Sequence, residues 1–157
     1  MDAGVDTLYP ARVLSETSPL IALAISAFTS ATLLPGTSEA VLAAMQVAGV
    51  ASPLTLLAVA SIANIIGSCV NWLMGRYLAH FSDRKWFPIS RAQMQKASAW
   101  YARFGWPSLL LSWVPIIGDP LTVVAGLLRT PFVVFVIVVA LAKTARYAAI
   151  LWLVDLI

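Results

Sequence analysis

The sequence predicts an all-α integral membrane protein, arranged as an inverted repeat of two re-entrant hairpins that are each followed by a transmembrane helix. A short amphipathic cytoplasmic helix is expected between the halves. Of the 157 residues, 61% are hydrophobic and 11% are charged, and the mean hydropathy is +0.88. Soluble domains are typically about 25% charged. We expect one membrane domain, 1–157, with repeat 1 at about 20–78, a cytoplasmic linker at about 79–103 and repeat 2 at about 104–157.

Two apolar runs, 54–75 and 132–154, are long enough to cross a bilayer, which takes roughly 20 apolar residues. Two further apolar regions are interrupted by helix-breaking residues. We interpret these as hairpins that turn inside the membrane, where a break needs protein or water around it. The length of 20–34 leaves open whether this segment spans or is re-entrant. The predicted turn residues are Pro35, Gly36, Pro115, Gly118 and Pro120.

The connection 76–103 is basic, with six cations against one acid and a net charge of +5. A basic segment between apolar runs marks the cytoplasmic side of a membrane protein, so we place this connection in the cytoplasm and both chain ends outside. The same position argues against nucleic acid as a partner. Residues 1–19 carry three acids and one cation, a composition that does not predict a cleaved signal peptide.

Part of this connection, "ISRAQMQKASAWYARFG", has the pattern of a short amphipathic helix. Met94, Ala97, Tyr101 and Phe104 recur at helical spacing on one face. A basic helix with one apolar face is expected to lie on the inner membrane surface. A plain polar linker is the alternative interpretation.

The two interrupted regions share one order of features: Pro, acid, Gly, Pro and then a span. An acid follows the first Pro after three residues in both regions, and a second Pro opens each long helix. Because a cytoplasmic linker separates the copies, they have opposite orientations. Inverted repeats with interrupted helices are typical of secondary transporters. The matching positions are Pro35, Glu39, Gly49 and Pro53 in the first copy and Pro115, Asp119, Gly126 and Pro131 in the second.

The two acids are predicted to lie near the midplane, at the starts of the returning half-helices. A helix N-terminus tolerates a carboxylate at Glu39, and Asp119 followed by Pro120 has the pattern of an N-cap and first helical residue. Capping alone is the structural alternative. A carboxylate at the bilayer centre is costly, however, and intramembrane ionisable groups are usually functional. We therefore predict that both acids take part in transport or proton coupling.

Lys143 and Arg146 are the predicted partners for the acids or for a substrate phosphate. They lie 12 and 15 residues past Pro131, roughly 18–22 Å into the second span at about 1.5 Å per residue. Asn64 reaches a similar depth in the first span, and Asn71 is a second supporting amide. Snorkelling to the surface and purely structural pairing with the acids are the alternatives.

The chain offers little for other chemistry. Cys69 and His80 are the only residues of their kinds, so no metal-ligand spacing is visible, and no nucleophile–base pattern predicts an enzyme. We expect neither cofactor nor metal.

Four segments resemble the DedA superfamily, also known as VTT-domain or SNARE-associated Golgi proteins, and most closely its YqaA branch: "SATLLPGTSEAVL", "NIIGSCVNWLMGRYL", "LLLSWVPIIGDPLTVVAGLLR" and "AKTARY". The resemblance covers about residues 25–150. It implies facing re-entrant hairpins, functional membrane acids and bases, and movement of phospholipid or undecaprenyl phosphate between leaflets with dependence on the proton-motive force. Two positions depart from the family pattern. Thr37 follows the Pro-Gly turn where many members have an acid, and Gly118 stands where many have Arg.

The leading hypothesis is an inner-membrane lipid transporter or scramblase with membrane lipid as its partner, in which the acids exchange protons. A small proton- or ion-coupled transporter is the second hypothesis, and a non-transporting membrane scaffold is the third. We expect a multi-pass protein of the bacterial inner membrane. The substrate, the direction of transport and homo-oligomer formation are left open by the sequence.

Overall fold

The structure is a computed structural model that describes residues 8–32, 37–78, 90–114 and 117–156. Within these ranges every regular element is helical. The predicted turn residues Pro35, Gly36 and Pro115 lie outside the described residues, as does His80. The helices are α1 (Leu8–Thr32), α2 (Thr37–Val47), α3 (Pro53–Leu78), α4 (Arg91–Phe104), a 3₁₀ helix (Trp106–Trp113), α5 (Gly118–Leu127) and α6 (Phe132–Val154).

The helices α3 and α6 match the two predicted spans. Pro53–Tyr77 and Phe132–Val154 are long and apolar enough to cross a membrane. On α6, Val133, Ile137 and Leu141 form an exposed apolar stripe at four-residue spacing. An apolar stripe of this kind is suited to contact with lipid rather than water.

The first halves of the two interrupted regions differ in length. The helix α1 begins at Leu8, about twelve residues before the predicted start of repeat 1, and contains Pro19. The second interrupted region begins with the 3₁₀ helix, which has only eight residues. Gly105, with φ 64°, separates this 3₁₀ helix from α4, and Pro107 stands in its first turn. These residues favour a short, tight segment over a continuous α-helix.

The linker helix α4 is confirmed, and the plain polar linker is not what forms. Ser90 caps it: its hydroxyl accepts a hydrogen bond from the Gln93 backbone at 3.3 Å, and the Gln93 side chain accepts one from the Ser90 backbone at 3.0 Å. Reciprocal capping of this kind satisfies donors that the first helical turn leaves free. Met94, Ala97 and Tyr101 pack on the core beside α5, so most of the apolar face is covered by protein. Phe104 remains half exposed.

Two apolar clusters hold the helices together. One contains Leu23, Leu42 and Leu56 from α1, α2 and α3, with Tyr147 from the second half of α6. The other joins α3, α4, the 3₁₀ helix and α5 to the first half of α6, and its largest fully buried side chain is Phe135. Tyr147 belongs to the first cluster and, through its hydroxyl, also to the candidate site.

The helices α3 and α5 pack against each other without side chains at two points of contact. A Cβ atom at Gly75 would overlap the Val123 carbonyl group, and one at Gly126 would overlap the Trp72 carbonyl group. Gly126 is thus a packing residue within α5. The sequence matched it with Gly49, but Gly49 lies beyond the end of α2 with φ 63°. The two glycines do not occupy equivalent positions.

Candidate functional site

The candidate site is built from two ion pairs that link the short helices α2 and α5 to α6. Arg146 of α6 pairs with Glu39, which lies in the first turn of α2. Lys143, one turn earlier on α6, pairs with Asp119 in the first turn of α5, with 3.3 Å between Nζ and Oδ1. The structure therefore brings together all four charges that the sequence selected.

The Lys143–Asp119 pair is the more deeply buried of the two. The Lys143 side chain is 4% exposed and the Asp119 side chain 25%, whereas Arg146 and Glu39 are 20% and 29% exposed. An ammonium group loses several kcal/mol of hydration when it is buried, so it needs a partner of opposite charge and further hydrogen bonds. The Lys143 side chain does not snorkel to the membrane surface, because its ammonium group is enclosed by protein.

Asn64 of α3 supplies that further hydrogen bond. Its Oδ1 accepts from Lys143 Nζ at 2.5 Å. Its Nδ2 donates to the Ala27 carbonyl oxygen at 2.9 Å and to the Tyr147 hydroxyl at 2.8 Å. The Tyr147 hydroxyl is also 2.9 Å from Ser38 Oγ. Since Tyr147 accepts from Asn64, its own proton is available for Ser38.

These contacts form one hydrogen-bonded network across four helices. It runs from α5 through α6 and α3, returns to α6 and ends on α2. The order of side chains is Asp119, Lys143, Asn64, Tyr147 and Ser38. The two short helices are thus connected through the centre of the protein by polar side chains only.

Asn71 lies one step outside this network. Its Nδ2 donates to the Ala31 carbonyl oxygen at 2.8 Å and to Thr122 Oγ1 at 3.1 Å. Thr122 Oγ1 in turn donates to the Asp119 carbonyl oxygen at 2.6 Å. Asn71 therefore ties α3 to α1 and to the first turns of α5, which fixes the backbone that carries Asp119.

The prediction that Asp119 is an N-cap, with Pro120 at the first helical position, is wrong. The cap position belongs to Ile117, no side chain caps the helix, and α5 begins at Gly118. Gly118 N–H donates to the Val114 carbonyl oxygen at 2.9 Å, so the turn forms before Asp119. The Asp119 carboxylate bonds to Lys143 instead. A Cβ at Gly118 would overlap Ser112, so glycine permits the close approach of α5 to the 3₁₀ helix.

Sequence reasoning missed three polar residues of the site: Ser38, Thr122 and Tyr147. Each had a local signal. Ser38 adjoins Glu39, Tyr147 adjoins Arg146, and Thr122 follows Asp119 by three residues, which is one helical turn. Adjacent residues of α2 therefore meet adjacent residues of α6 in the pairs Ser38–Tyr147 and Glu39–Arg146.

A groove of about 690 Å³ opens beside the Glu39–Arg146 pair. Ala142, Ala145 and Ala149 line it, and their small side chains leave space along α6. The walls come from α6 and from Leu110 and Trp113 of the 3₁₀ helix, both half exposed. The groove thus combines an apolar trough with a guanidinium and a carboxylate. Within the described ranges, no group of three or more His, Cys, Asp or Glu side chains could hold a metal ion.

Comparison with known families decides the classification. The VTT domain matches residues 34–156, most of the chain. The chain belongs to the VTT-domain family. This match confirms the resemblance to the DedA superfamily that the motifs indicated.

Three relatives of this VTT-domain protein illustrate the range of the family. Inner membrane protein YqaA of Escherichia coli K12 is 37% identical over 137 residues, which are 87% of this chain and 92% of YqaA. An uncharacterized protein of Haemophilus influenzae is 32% identical over 145 residues, 88% of each chain. Undecaprenyl phosphate transporter A of Staphylococcus aureus is 27% identical over 108 residues, 64% of this chain and 53% of the transporter. No solved structure matches the chain.

The YqaA match confirms two predictions about this VTT-domain protein. It belongs to the YqaA-like branch, and it is a protein of the bacterial inner membrane. The two apolar helices long enough to span agree with this location. The names of these relatives describe membrane proteins or a transporter rather than enzymes.

Proposed function

We propose that this protein moves a phosphate-bearing lipid, a phospholipid or undecaprenyl phosphate, between the leaflets of the inner membrane. The observation that carries this proposal is the groove in which the Glu39–Arg146 pair lies against an apolar trough. A lipid has the same two parts, a charged head group and long apolar chains. Arg146 can bind a phosphate through two parallel hydrogen bonds, while the chains remain in the trough and the surrounding bilayer.

The two halves form an inverted repeat of re-entrant hairpins in this proposal. The lengths of three of the four hairpin arms support it, whereas α1, with 25 residues, is longer. The helix α2 has 11 residues and α5 has 10, so they rise roughly 15–17 Å. The 3₁₀ helix has eight residues and covers roughly 16 Å at about 2.0 Å per residue. Each segment is about half of a hydrocarbon core of roughly 30 Å, the length that a hairpin arm needs to turn near the midplane.

Helix packing gives further support, because each short return helix packs on the span of the opposite half. The helix α2 contacts α6, and α5 contacts α3. Two facing hairpins related by a two-fold axis in the membrane plane would make this exchange. Both return helices also present an acid in their first turn to a cation on α6. The cations do not follow the symmetry, since α3 offers Asn64 and Asn71 instead.

Glu39 and Asp119 are the proposed proton-coupling groups. A phosphate that takes Arg146 from Glu39 leaves this carboxylate without its counter-ion, and proton uptake would then offset the loss. A phosphate that bound Lys143 in the same way would leave Asp119 without its counter-ion, and Asp119 would then take up a proton. Competition between substrate and acid for one cation couples lipid movement to protonation without a large rearrangement.

A proton-coupled transporter without a lipid substrate is the second candidate, and the buried network favours it. Tyr147, Ser38, Asn64 and Lys143 form a continuous chain of hydrogen bonds. Chains of this kind are found in the proton relays of membrane pumps and transporters.

Photocrosslinking from the groove tests the lipid proposal. A photoreactive amino acid at Ala149, which lines the groove and is exposed, should form an adduct with a phosphate-bearing lipid in the membrane. The matched control is Leu141, which is 63% exposed on α6 but outside the groove. Adding Arg146→Ala should reduce the adduct at Ala149 by about tenfold, the loss expected when a charge-assisted hydrogen bond is removed, and leave the adduct at Leu141 unchanged. Equal loss at both positions would refute specific binding in the groove.

The orientation in the membrane is a separate prediction. With 76–103 in the cytoplasm, a cysteine at Ser90 should be protected from an impermeant thiol reagent in intact cells and labelled after the membrane is opened. Ser90 is suitable because it is exposed at the start of α4. The background carries Cys69→Ala, since Cys69 is a free, partly buried thiol. Labelling of Ser90→Cys from outside intact cells would reverse the predicted topology.

A further inference from the structure

The turn between α5 and α6 holds an arginine in a backbone conformation that ordinarily favours glycine. Arg129 has φ 59° and is the one non-glycine residue with positive φ in the described ranges. Arg129 N–H donates to the Gly126 carbonyl oxygen at 3.0 Å, and Thr130 N–H donates to the Ala125 carbonyl oxygen at 2.9 Å. These two bonds define a Schellman ending, whose left-handed residue is usually glycine.

The first half of the protein uses glycine for the same turn. Gly49 has φ 63° at the end of α2. Its N–H donates to the Gln46 carbonyl oxygen at 3.0 Å, and Val50 N–H donates to the Met45 carbonyl oxygen at 3.1 Å. Gly49 and Arg129 are therefore equivalent in geometry. Because a Cβ disfavours this conformation, the arginine side chain needs a reason other than the fold.

The Arg129 side chain lines a groove that has the features of a ligand site. This second groove, of about 700 Å³, is lined by Arg129 and mostly by apolar side chains, including Trp106, Val134 and Ile137. Arg129 is exposed, and no acid of the described residues pairs with it. Trp106 and Ile137 are 54% and 55% exposed. The groove thus offers one uncompensated cation and an apolar trough along α6.

The groove is braced by the linker helix. The Tyr101 hydroxyl of α4 shares a hydrogen bond with Thr130 Oγ1 next to Arg129, and both residues line the groove. With α4 in the cytoplasm, as the basic segment predicts, the groove lies on the side of the leaflet in which anionic lipids meet basic juxtamembrane residues.

We propose that this groove binds one anionic phospholipid of that leaflet, with its phosphate on Arg129 and an acyl chain along Val134 and Ile137. An arginine is suited to phosphate, a tryptophan to the head-group level and an aliphatic trough to a chain. The site is separate from the Arg146 groove, which is lined by the second half of α6 from Ala142 to Leu153. Binding here does not depend on the transport function proposed above.

The test measures lipid affinity of the purified full-length protein by native mass spectrometry, with phosphatidylglycerol and phosphatidylcholine as probes. The wild type should bind phosphatidylglycerol more tightly than phosphatidylcholine. Arg129→Gly should weaken phosphatidylglycerol binding about tenfold, and Arg129→Lys should weaken it less. Arg103→Gln, which removes an exposed cation of α4 outside the groove, should not change it.

The glycine variant also separates binding from folding. Because glycine suits the left-handed turn, Arg129→Gly should unfold at the same or a higher temperature than the wild type in the absence of lipid. Phosphatidylglycerol with brominated chains should quench tryptophan fluorescence in the wild type and quench less after Trp106→Phe. Inorganic phosphate should not displace the lipid. Equal affinity for the two lipids, full affinity in Arg129→Gly, or displacement by phosphate alone would each overturn the proposal.

Discussion

Replacing Lys143 by methionine should destabilise the protein by about 3–5 kcal/mol, the range expected when one partner of a buried ion pair is removed. The change keeps an apolar stem of similar length but leaves the Asp119 carboxylate without its counter-ion. Asn64 Oδ1 loses its donor as well. Equilibrium unfolding of the detergent-solubilised protein, followed by circular dichroism, measures the loss.

A double variant shows whether the charge is responsible. Lys143→Met combined with Asp119→Leu removes both charges together, and replacing a buried pair by apolar residues is often neutral. Most of the lost stability should return. The remaining deficit is the unpaired Asn64 amide oxygen, which costs about 1–3 kcal/mol. Lys96→Met on the exposed face of α4 is the matched control and should change little. A single variant as stable as this control would show that the pair does not hold α5 to α6.

The two spans, and the pairing of the four charges with one another, were predictable from the sequence for a physical reason. Apolar runs of this length have few alternatives to a spanning helix. The repeated Pro-x3-acid pattern indicated Glu39 and Asp119. A charge inside an apolar run must find a partner near its own depth, which indicated Lys143 and Arg146 as their partners. The linker helix was also predictable, because Met94, Ala97 and Tyr101 recur at helical spacing.

Other features depend on contacts between distant segments. The pattern Asp119-Pro120 has strong capping propensity, but Lys143 binds the carboxylate, and this residue lies 24 positions away. Tyr147 and Ser38 are separated by 109 positions, and a hydroxyl in an apolar helix carries no sign of its partner. The left-handed turn at Arg129 was missed because the repeat pattern matched Gly126 with Gly49. Backbone hydrogen bonds, rather than residue type, identify the equivalent position.

Arg146 and Glu39 are expected to serve lipid movement more than folding. Arg146 and Glu39 are partly exposed in the groove, so their loss should disturb the fold less than the loss of Lys143. Removing a guanidinium that binds phosphate forfeits about 1.5–3 kcal/mol, which slows transfer by at least about tenfold. Glu39→Gln and Asp119→Asn keep hydrogen-bonding groups but lose the charge that exchanges protons. Glu39→Gln should insert, purify and lose transfer together with its dependence on pH. Asp119→Asn should lose transfer as well, but it should also unfold more readily, because the buried Lys143 ammonium loses its counter-ion.

Leaflet exchange of a fluorescent phosphate-bearing lipid in proteoliposomes tests the transport proposal most directly. The wild type should accelerate exchange, with a rate that changes with pH. Arg146→Ala, Glu39→Gln and Asp119→Asn, reconstituted in equal amounts, should lose it, while Arg103→Ala on α4 should keep the wild-type rate. If all three site variants exchanged lipid at the wild-type rate, the charges would serve the structure rather than transport. A wild type that moves no lipid but carries protons would favour the ion-transport candidate, and one that moves neither would leave the protein a membrane scaffold.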